Sequence, residues 1–274
     1  MAGITLPPVP RLAWTTDIHL DHLREDQVVT FGRKLADTGA DGVLIGGDIA
    51  QAPTLVESLI TLAVHAKRPI YFVCGNHDYY YGSVAAVRRT LGELTQRSDQ
   101  LAWLPGRGCI ALSESTALVG HGCWNDGRAG NYYGSTVMLT DYLVIAELAR
   151  QGPSSRLAKL NELGDQAAAH LAAVVPQALA QRDHVIVLTH VPPFAEACQY
   201  GGERTSDGWL PHMACQVAGQ TLQRIMEQHP DKRMTVLSGH THQPATVRVL
   251  PNLEVRTGAA TYGAPAVEDI IELA

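Results

Sequence analysis

Residues 69–78 read PIYFVCGNHD, and this stretch decides the fold. Its apolar part, residues 69–73, predicts a buried strand, because a short apolar run bounded by turn residues is typical of one. The polar cluster Gly75-Asn76-His77-Asp78 follows directly where that strand ends. The stretch therefore joins a core element to side chains that can carry chemistry.

The same pattern recurs at four other places, where an apolar run ends in Asp, His or both. These are residues 11–16 before Asp17-x-His19, residues 42–45 before Gly47-Asp48, residues 184–189 before His190, and residues 234–237 before His240-x-His242. In open α/β sheets, ligands bind beyond the carboxyl ends of the strands. We therefore expect the five clusters to converge on one site.

Helices are predicted between the strands from the spacing of apolar residues. Their predicted ranges are 23–37, 53–66, 83–97, 154–181 and 213–228. In the fourth, Gly164 and Pro176 are expected to divide or kink the helix. Further strands are predicted at 109–112, 117–119, 245–250, 253–256 and 267–273. The alternation of strands and helices, without a repeat or linker, predicts one α/β domain over residues 1–274.

The converging side chains form a set of metal ligands. The set contains two carboxylates, one amide oxygen and four imidazoles: Asp17, Asp48, Asn76, His19, His190, His240 and His242. Mixed nitrogen and oxygen ligands suit Mn, Fe, Zn or Ni and not calcium. Seven ligands exceed the needs of one tetrahedral ion but suit two ions if a carboxylate bridges them. Two such ions can activate a water as hydroxide and hold both oxygens of an in-line displacement.

The motif series D-x-H, G-D, G-N-H-D, H and G-H-x-H resembles that of the calcineurin-like metallophosphoesterase superfamily, from Asp17 to His242. The resemblance implies an α/β fold, a four-layer α-β-β-α sandwich of two mixed sheets flanked by helices. It also implies hydrolysis of phosphate esters by a metal-bridging hydroxide. The implied ligands are Asp17, His19 and His242 for one ion and Asn76, His190 and His240 for the other, with Asp48 as the bridge.

The resemblance gives His77 a role beside the metals. In the family this histidine contacts the scissile phosphate, as Asn76 would, and it can protonate the leaving oxygen. The sequence departs from the protein-phosphatase branch, because Gln51 stands where that branch has the aspartate that pairs with the histidine. The phosphate-gripping arginine of that branch is also missing, so a protein phosphatase is not expected. Which carboxylate orients His77 stays open, with Asp78 as one candidate.

Two loops are candidates for binding the substrate. The loop at residues 122–133 contains Trp124 as an aromatic platform and Arg128 as a bidentate phosphate ligand. The loop at residues 191–212, which follows His190, is the second candidate. Both interpretations are hypotheses that rest on loop position and composition.

Charge and composition narrow the substrate class. The net charge of −6 does not favour a nucleic-acid-binding surface, which is usually basic. A small phosphate ester is therefore the expected substrate, cleaved by a phosphodiesterase or a phosphomonoesterase. A nuclease is the enzymatic alternative, and a non-catalytic metal-binding scaffold for partner proteins is the alternative from another class. The native metals and the oligomeric state stay open.

The cysteines and the apolar runs predict a cytoplasmic protein. The five cysteines are odd in number and include no CxxC pair, which favours a reducing compartment. No signal peptide is recognised, and no apolar run approaches the roughly 20 residues of a membrane span.

Overall fold

The computed structural model describes residues 10–273, which contain six α-helices and thirteen strands. The helices are α1 (Glu25–Asp37), α2 (Leu55–Ala66), α3 (Val84–Gln96), α4 (Asp141–Val144), α5 (Pro153–Gln181) and α6 (Gln216–Glu227). The strands are β1 (Arg11–Thr15), β2 (Gly42–Ile45), β3 (Ile70–Phe72), β4 (Leu101–Trp103), β5 (Ile110–Ala111), β6 (Thr116–Gly120), β7 (His184–Leu188), β8 (Gln199–Tyr200), β9 (Glu203–Arg204), β10 (Arg233–Ser238), β11 (Ala245–Leu250), β12 (Leu253–Thr257) and β13 (Asp269–Glu272).

Two mixed sheets form the centre of the molecule. The first has the order β13-β1-β2-β3-β4, in which β1 to β4 are parallel and β13 is antiparallel to β1. The second has the order β11-β12-β10-β7-β6-β5, with β12, β10, β7 and β6 parallel. Its edge strands, β11 and β5, are antiparallel to their neighbours. The strands that precede the five polar clusters are therefore all parallel strands inside these sheets.

Alternate residues of the strands build three apolar layers, because successive side chains of a strand point to opposite faces. In β2, Leu44 joins the layer between the two sheets, while Val43 and Ile45 pack against helices. In the second sheet, Ile186 of β7 joins the central layer, and Val187 packs toward the helices on that side. Burial on both faces explains why these strands appear in the sequence as continuous apolar runs.

The helices cover the outer faces of both sheets. Phe31 of α1 and Leu59 of α2 pack on the first sheet, and Leu171 of α5 and Leu222 of α6 pack on the second. The predicted four-layer arrangement of two mixed sheets flanked by helices is confirmed. That residues 1–274 form a single domain stays a prediction, since residues 1–9 and 274 lie outside the described residues.

The predicted division of the fourth helix at Gly164 or Pro176 is wrong. α5 runs without interruption from Pro153 to Gln181 although it contains Pro176. Proline leaves the carbonyl four residues earlier without a helical partner. That residue, Ala172, is exposed, so water can hydrogen-bond its carbonyl. Gly164 also stays helical. A Cβ at this position would lie only 2.6 Å from the Cβ of Asp126 and would clash with it.

The other predicted elements are present, with ends shifted by no more than three residues. The sequence did not predict β4, the hairpin of β8 and β9, or the one-turn helix α4. None of the helices within residues 10–273 is both long and apolar enough to cross a bilayer.

Candidate metal centre

The loops that follow five parallel strands meet at one end of the two sheets. Backbone hydrogen bonds join them: Asp17 N–H donates to the Gly47 carbonyl at 3.0 Å, and His19 N–H donates to the Asp48 carbonyl at 2.9 Å. Across the two sheets, His240 N–H donates to Asp17 Oδ1 at 3.0 Å. The polar clusters predicted to converge are therefore brought together.

The first group of possible ligands consists of Asp17, His19, Asp48 and His242. One donor atom of each lies within 4.8 Å of the others. His242 Nε2 is 3.3 Å from Asp17 Oδ1 and 3.2 Å from His19 Nε2. Four donor atoms that face one point in this way could hold a cation.

The second group is built around the side-chain oxygen of Asn76. Asn76 Oδ1 lies 3.0 Å from His190 Nε2 and 3.0 Å from His240 Nδ1. His190 Nε2 is also 3.4 Å from Asp48 Oδ1, while the other oxygen of Asp48 faces His19 Nε2 at 3.9 Å. Asp48 therefore lies between the two groups and presents one carboxylate oxygen to each.

Hydrogen bonds outside the centre fix the orientation of the second group. His190 Nδ1 lies 2.9 Å from the Gly46 carbonyl, and His240 Nε2 lies 2.9 Å from the His212 carbonyl. A carbonyl accepts only, so each of these nitrogens carries the proton and the other nitrogen keeps its lone pair. Asn76 Nδ2 donates to Asp141 Oδ1 at 2.9 Å, which turns the amide oxygen toward the histidines. Such outer hydrogen bonds are typical of metal sites.

The backbone at the centre is strained. Five non-glycine residues have positive φ angles between 41° and 71°: Asp17, His19, Asp48, His240 and His242. Each such conformation costs on the order of 1–3 kcal/mol and is typical of functional sites. The chain also approaches itself closely here, because a Cβ on Gly75 would overlap Asp48 Oδ1. A Cβ on Gly239 would overlap Asp17 Oδ2.

Burial has unequal effects on the two carboxylates. Burial and the neighbouring charge of Asp17 raise the pKa of Asp48 well above its usual value. Burial acts to raise the pKa of Asp17 as well, but this pKa is lowered below its usual value, because the effects of His190 and His242 outweigh the opposing effect of burial. Among the described residues, neither carboxylate pairs with Lys or Arg.

Two buried histidines of the centre, His19 and His190, are electrically neutral. Burial lowers the pKa of His19 to about 2 and the pKa of His190 to about 3. His19 Nδ1 is a buried nitrogen without a hydrogen-bond partner within residues 10–273. Neutral imidazoles and buried carboxylates without cations are an unfavourable arrangement unless metal ions neutralise the charge. The donor set therefore fits two transition-metal ions.

His77 lies beside this centre. Its backbone N–H donates to Asp48 Oδ1 at 2.8 Å, and its ring stacks on Tyr80 with centroids 4.2 Å apart. Burial lowers the pKa of His77 to about 4. Its Nδ1 is buried, and no described residue hydrogen-bonds to it. Among the described residues, no carboxylate therefore lies within hydrogen-bond distance of the His77 ring.

Asp78 has a different task. Its Oδ1 accepts the backbone N–H groups of Ile49 at 2.8 Å and Ala50 at 3.0 Å, and its Oδ2 accepts that of Gly75 at 2.7 Å. It thus ties the loop after β2 to the loop after β3. Asp78 holds the backbone on which Asp48 and His77 stand, without a hydrogen bond to the His77 ring.

Sequence reasoning missed Asp141. This carboxylate is fully buried, accepts from Asn76 Nδ2, and accepts from the Tyr80 hydroxyl at 2.7 Å. It belongs to none of the five polar clusters that follow the strands. The available signal was an acidic residue inside the apolar run Met138-Leu139-Thr140-Asp141-Tyr142-Leu143-Val144.

The structure places two predicted substrate contacts, Arg128 and Trp124, away from the cleft. Arg128 forms ion pairs with Asp126 at 3.3 Å and with Asp165 at 2.8 Å. Trp124 is 2% exposed and packs on Tyr79 in the core with ring centroids 5.6 Å apart. Neither residue lines the cleft above the metal centre. The loop folds onto α5 and α6 because its Asp126 binds groups on both helices.

A cleft of about 420 Å³ opens above the centre. Its floor consists of Asp48, Asn76, His77, His240 and His242. Its walls include Leu139, Tyr200, Met213 and Tyr262, and Asp141 lies behind Asn76 of the floor. The second predicted loop, residues 191–212, thus contributes Tyr200 to the cleft.

Comparison with known proteins agrees with this geometry. A family model described as calcineurin-like phosphoesterase matches residues 10–244. A dimetal phosphatase structure from Danio rerio is 14% identical, with a TM-score of 0.59 over 94% of this chain and 90% of that one. A phosphopantetheinyl hydrolase from Mycobacterium tuberculosis is 16% identical, with a TM-score of 0.62 over 94% and 91% of the two chains. At identities this low, the structural likeness to these two proteins shows a shared fold and nothing more. No curated protein matches the sequence of this chain.

Proposed function

This chain belongs to the calcineurin-like phosphoesterase family, and from that premise we propose that it hydrolyses small phosphate esters with two transition-metal ions. The observation that carries the proposal is the position of Asp48. One of its oxygens faces His190 Nε2 at 3.4 Å and the other faces His19 Nε2 at 3.9 Å. A carboxylate placed in this way can bridge two ions.

Each group of donor atoms would hold one ion. Asp17, His19 and His242 would bind the first, Asn76, His190 and His240 the second, and Asp48 both. When bound, the two ions would lower the pKa of a water molecule toward neutrality and stabilise negative charge on the phosphate. The metals would be Mn, Fe, Zn or Ni, since nitrogen and oxygen donors select weakly among them.

His77 and Asn76 are the residues proposed to contact the phosphate. The His77 ring reaches the cleft from the floor, and its stacking on Tyr80 fixes the plane of the ring. From this position one ring nitrogen can donate a hydrogen bond to the phosphate or give a proton to the leaving oxygen. Asn76 is held by Asp141, so it enters the cleft in one orientation.

The charge of the cleft favours a diester over a monoester. The described residues that line it include no Lys or Arg. A phosphomonoester carries up to two negative charges near neutral pH, whereas a diester carries one. The diester therefore depends less on side-chain cations, and a small-molecule phosphodiesterase is the first choice over a phosphomonoesterase.

The same observation weighs against a nuclease. Proteins that bind nucleic acids neutralise phosphates with Lys and Arg, and the described lining residues of the cleft supply neither. A non-catalytic scaffold would not need the complete set of donors that this chain keeps beside His77. A cytoplasmic location stays a prediction, which the five free cysteines support.

Hydrolysis assays with metal-stripped protein test the proposal. Mn, Ni, Zn, Fe or Mg would be added back, with p-nitrophenyl phosphate and bis-p-nitrophenyl phosphate as substrates. We expect metal-restored turnover that favours the diester and that Asp48→Asn abolishes. Turnover that is unaffected by Asp48→Asn would refute the proposed centre. Two ions bound per chain without turnover on either ester would favour the scaffold.

A further inference from the structure

We propose that the cleft takes phosphate esters that carry an aromatic ring, and that Tyr200 and Tyr262 hold this ring beside the metal centre. The inference rests on the proposed function and names its substrate class. Both tyrosines lie in the cleft walls, and both keep large exposed surfaces, 76% for Tyr200 and 48% for Tyr262. Exposed aromatic rings at a cleft are typical of ligand contacts.

Tyr262 lies directly above the candidate ligands. Its ring centroid is 4.4 Å from that of His19 and 5.1 Å from that of His242. The ring of His77 is 6.2 Å away. One substrate could therefore place its ring on the open face of Tyr262 and its phosphate at the metal centre.

The backbone around Tyr262 is fixed to the metal-binding loop. Ala260 N–H donates to the His242 carbonyl at 3.3 Å, and Gly258 N–H donates to the Ser238 carbonyl at 2.9 Å. Ala259 N–H donates to Glu268 Oε2 at 2.8 Å. The position of the tyrosine therefore follows that of His242, which is the arrangement needed to hold a substrate against the metals.

Tyr200 is held over the cleft by a hairpin. It pairs with Glu203 in the two-stranded sheet of β8 and β9. The two residues between them, Gly201 and Gly202, both have positive φ angles, 61° and 86°. Turns with two positive φ angles match the twist of a hairpin and keep it tight. The hairpin thus places an exposed ring in the wall of the cleft, where a bound ligand can cover it.

The remaining wall residues complete a binding site for a ring and not for an anion. Leu139 and Met213 add apolar surface, and the sulfur of methionine packs well against aromatic rings. No Lys or Arg among the described lining residues could bind a second phosphate or a carboxylate. The cleft volume of about 420 Å³ falls within the range of small-molecule sites, about 300–1,000 Å³.

Two substrates separate ring binding from the chemistry of the ester. Methyl phenyl phosphate and methyl hexafluoroisopropyl phosphate release alcohols of similar acidity, but only the first carries a ring. Hydrolysis would be followed by the methyl phosphate released, with protein loaded with the metal that gives the fastest turnover. We expect kcat/KM of the wild type to favour the phenyl ester by about tenfold or more, the order of effect of aromatic stacking.

Variants of the two tyrosines test which rings carry this preference. Tyr200→Ala and Tyr262→Ala should each reduce the preference for the phenyl ester by about fivefold to tenfold, mainly through KM. Tyr262→Phe should retain the preference, because it retains the ring. Tyr133→Ala is the matched control, since Tyr133 is 70% exposed but does not line the cleft. It should leave both rates unchanged.

The outcomes distinguish this inference from the proposed function. If both esters are hydrolysed at equal rates, or if the alanine variants keep the wild-type preference, the aromatic site is refuted and the phosphoesterase proposal stands. If neither ester is hydrolysed with any metal, the proposed function fails and the aromatic site fails with it. A fall in preference that Tyr133→Ala reproduces would also refute the specific role of the two tyrosines.

Discussion

The floor and the walls of the cleft are built in opposite ways. On the floor, Asp48 is 1% exposed, His190 just beneath it is fully buried, and hydrogen bonds fix the side chains from behind. On the walls, Tyr200 and Tyr262 are largely exposed and belong to a hairpin and a loop. The floor residues follow strands inside both sheets, whereas the two wall tyrosines lie in connections between the large elements.

From this difference we expect the floor to serve the reaction itself and the walls to serve the choice of substrate. Ligands at the ends of core strands are held rigidly, and the strain stored in their backbone, on the order of 1–3 kcal/mol per residue, is balanced by the packed sheets below. Loops contribute little to the core, so they can vary without loss of the fold. Changes to the floor should therefore affect every substrate, and changes to the walls should affect substrates selectively.

The largest effect should come from His190→Ala, which breaks the floor. His190 contributes a donor atom to the second group and is fully buried. We expect metal content to fall from two ions per chain to one and turnover to fall by about 10³-fold on every ester, the order of loss when an electrostatic stabiliser is removed. Metal analysis and steady-state assays would measure both. Full turnover with one ion per chain would contradict the two-ion centre.

His77→Ala should have the next largest effect, about 100-fold. The loss should be greater for an alkyl leaving group than for p-nitrophenol, because nitrophenolate leaves without needing a proton. Metal content should stay at two ions, since the side chain of His77 is not among the proposed ligands. Equal losses on both leaving groups would exclude proton donation and leave phosphate contact as its role.

Asp141→Ala tests the connection between the floor and the residues behind it. It removes the acceptor that orients Asn76, so we expect the affinity for one ion to fall about 10–100-fold. Titration of metal into stripped protein, followed by turnover, would measure this affinity. Tyr80→Phe is the comparison variant, because it removes the other hydrogen bond to Asp141 but leaves Asn76 its shorter bond, to Asp141 at 2.9 Å, and costs it only the contact with the Tyr80 hydroxyl at 3.4 Å. It should have a smaller effect, and equal effects would contradict a role through Asn76.

The sequence predicted the floor far better than the walls. Each floor residue follows an apolar run in the chain, so local pattern places it at a strand end, and the parallel sheets then bring the strand ends together. Arg128 and Trp124 also lie in a polar loop of suitable composition, but composition does not tell which way a loop folds. The ion pair of Arg128 with Asp165 of α5 is a contact between distant residues, which local pattern cannot predict.

Arg128→Ala should therefore have the smallest effect, although the sequence made Arg128 a candidate phosphate ligand. Its guanidinium pairs with Asp126 and Asp165, away from the cleft. We expect unchanged kcat/KM on esters with and without a ring, and a loss of no more than about 1 kcal/mol in unfolding free energy. The loss stays small because Asp126 still accepts hydrogen bonds from the backbone N–H groups of residue 128, at 3.1 Å, and of Val217, at 2.9 Å.

Asp126→Ala gives the contrast for this substitution. It removes the carboxylate itself, so the N–H of Val217 loses its partner and the loop loses its attachment to α6. Unfolding free energy should then fall by about 1–3 kcal/mol. Chemical denaturation of both variants would compare the two losses. A tenfold fall in kcat/KM for Arg128→Ala at unchanged stability would show that the arginine reaches the phosphate, and would make this loop part of the cleft walls.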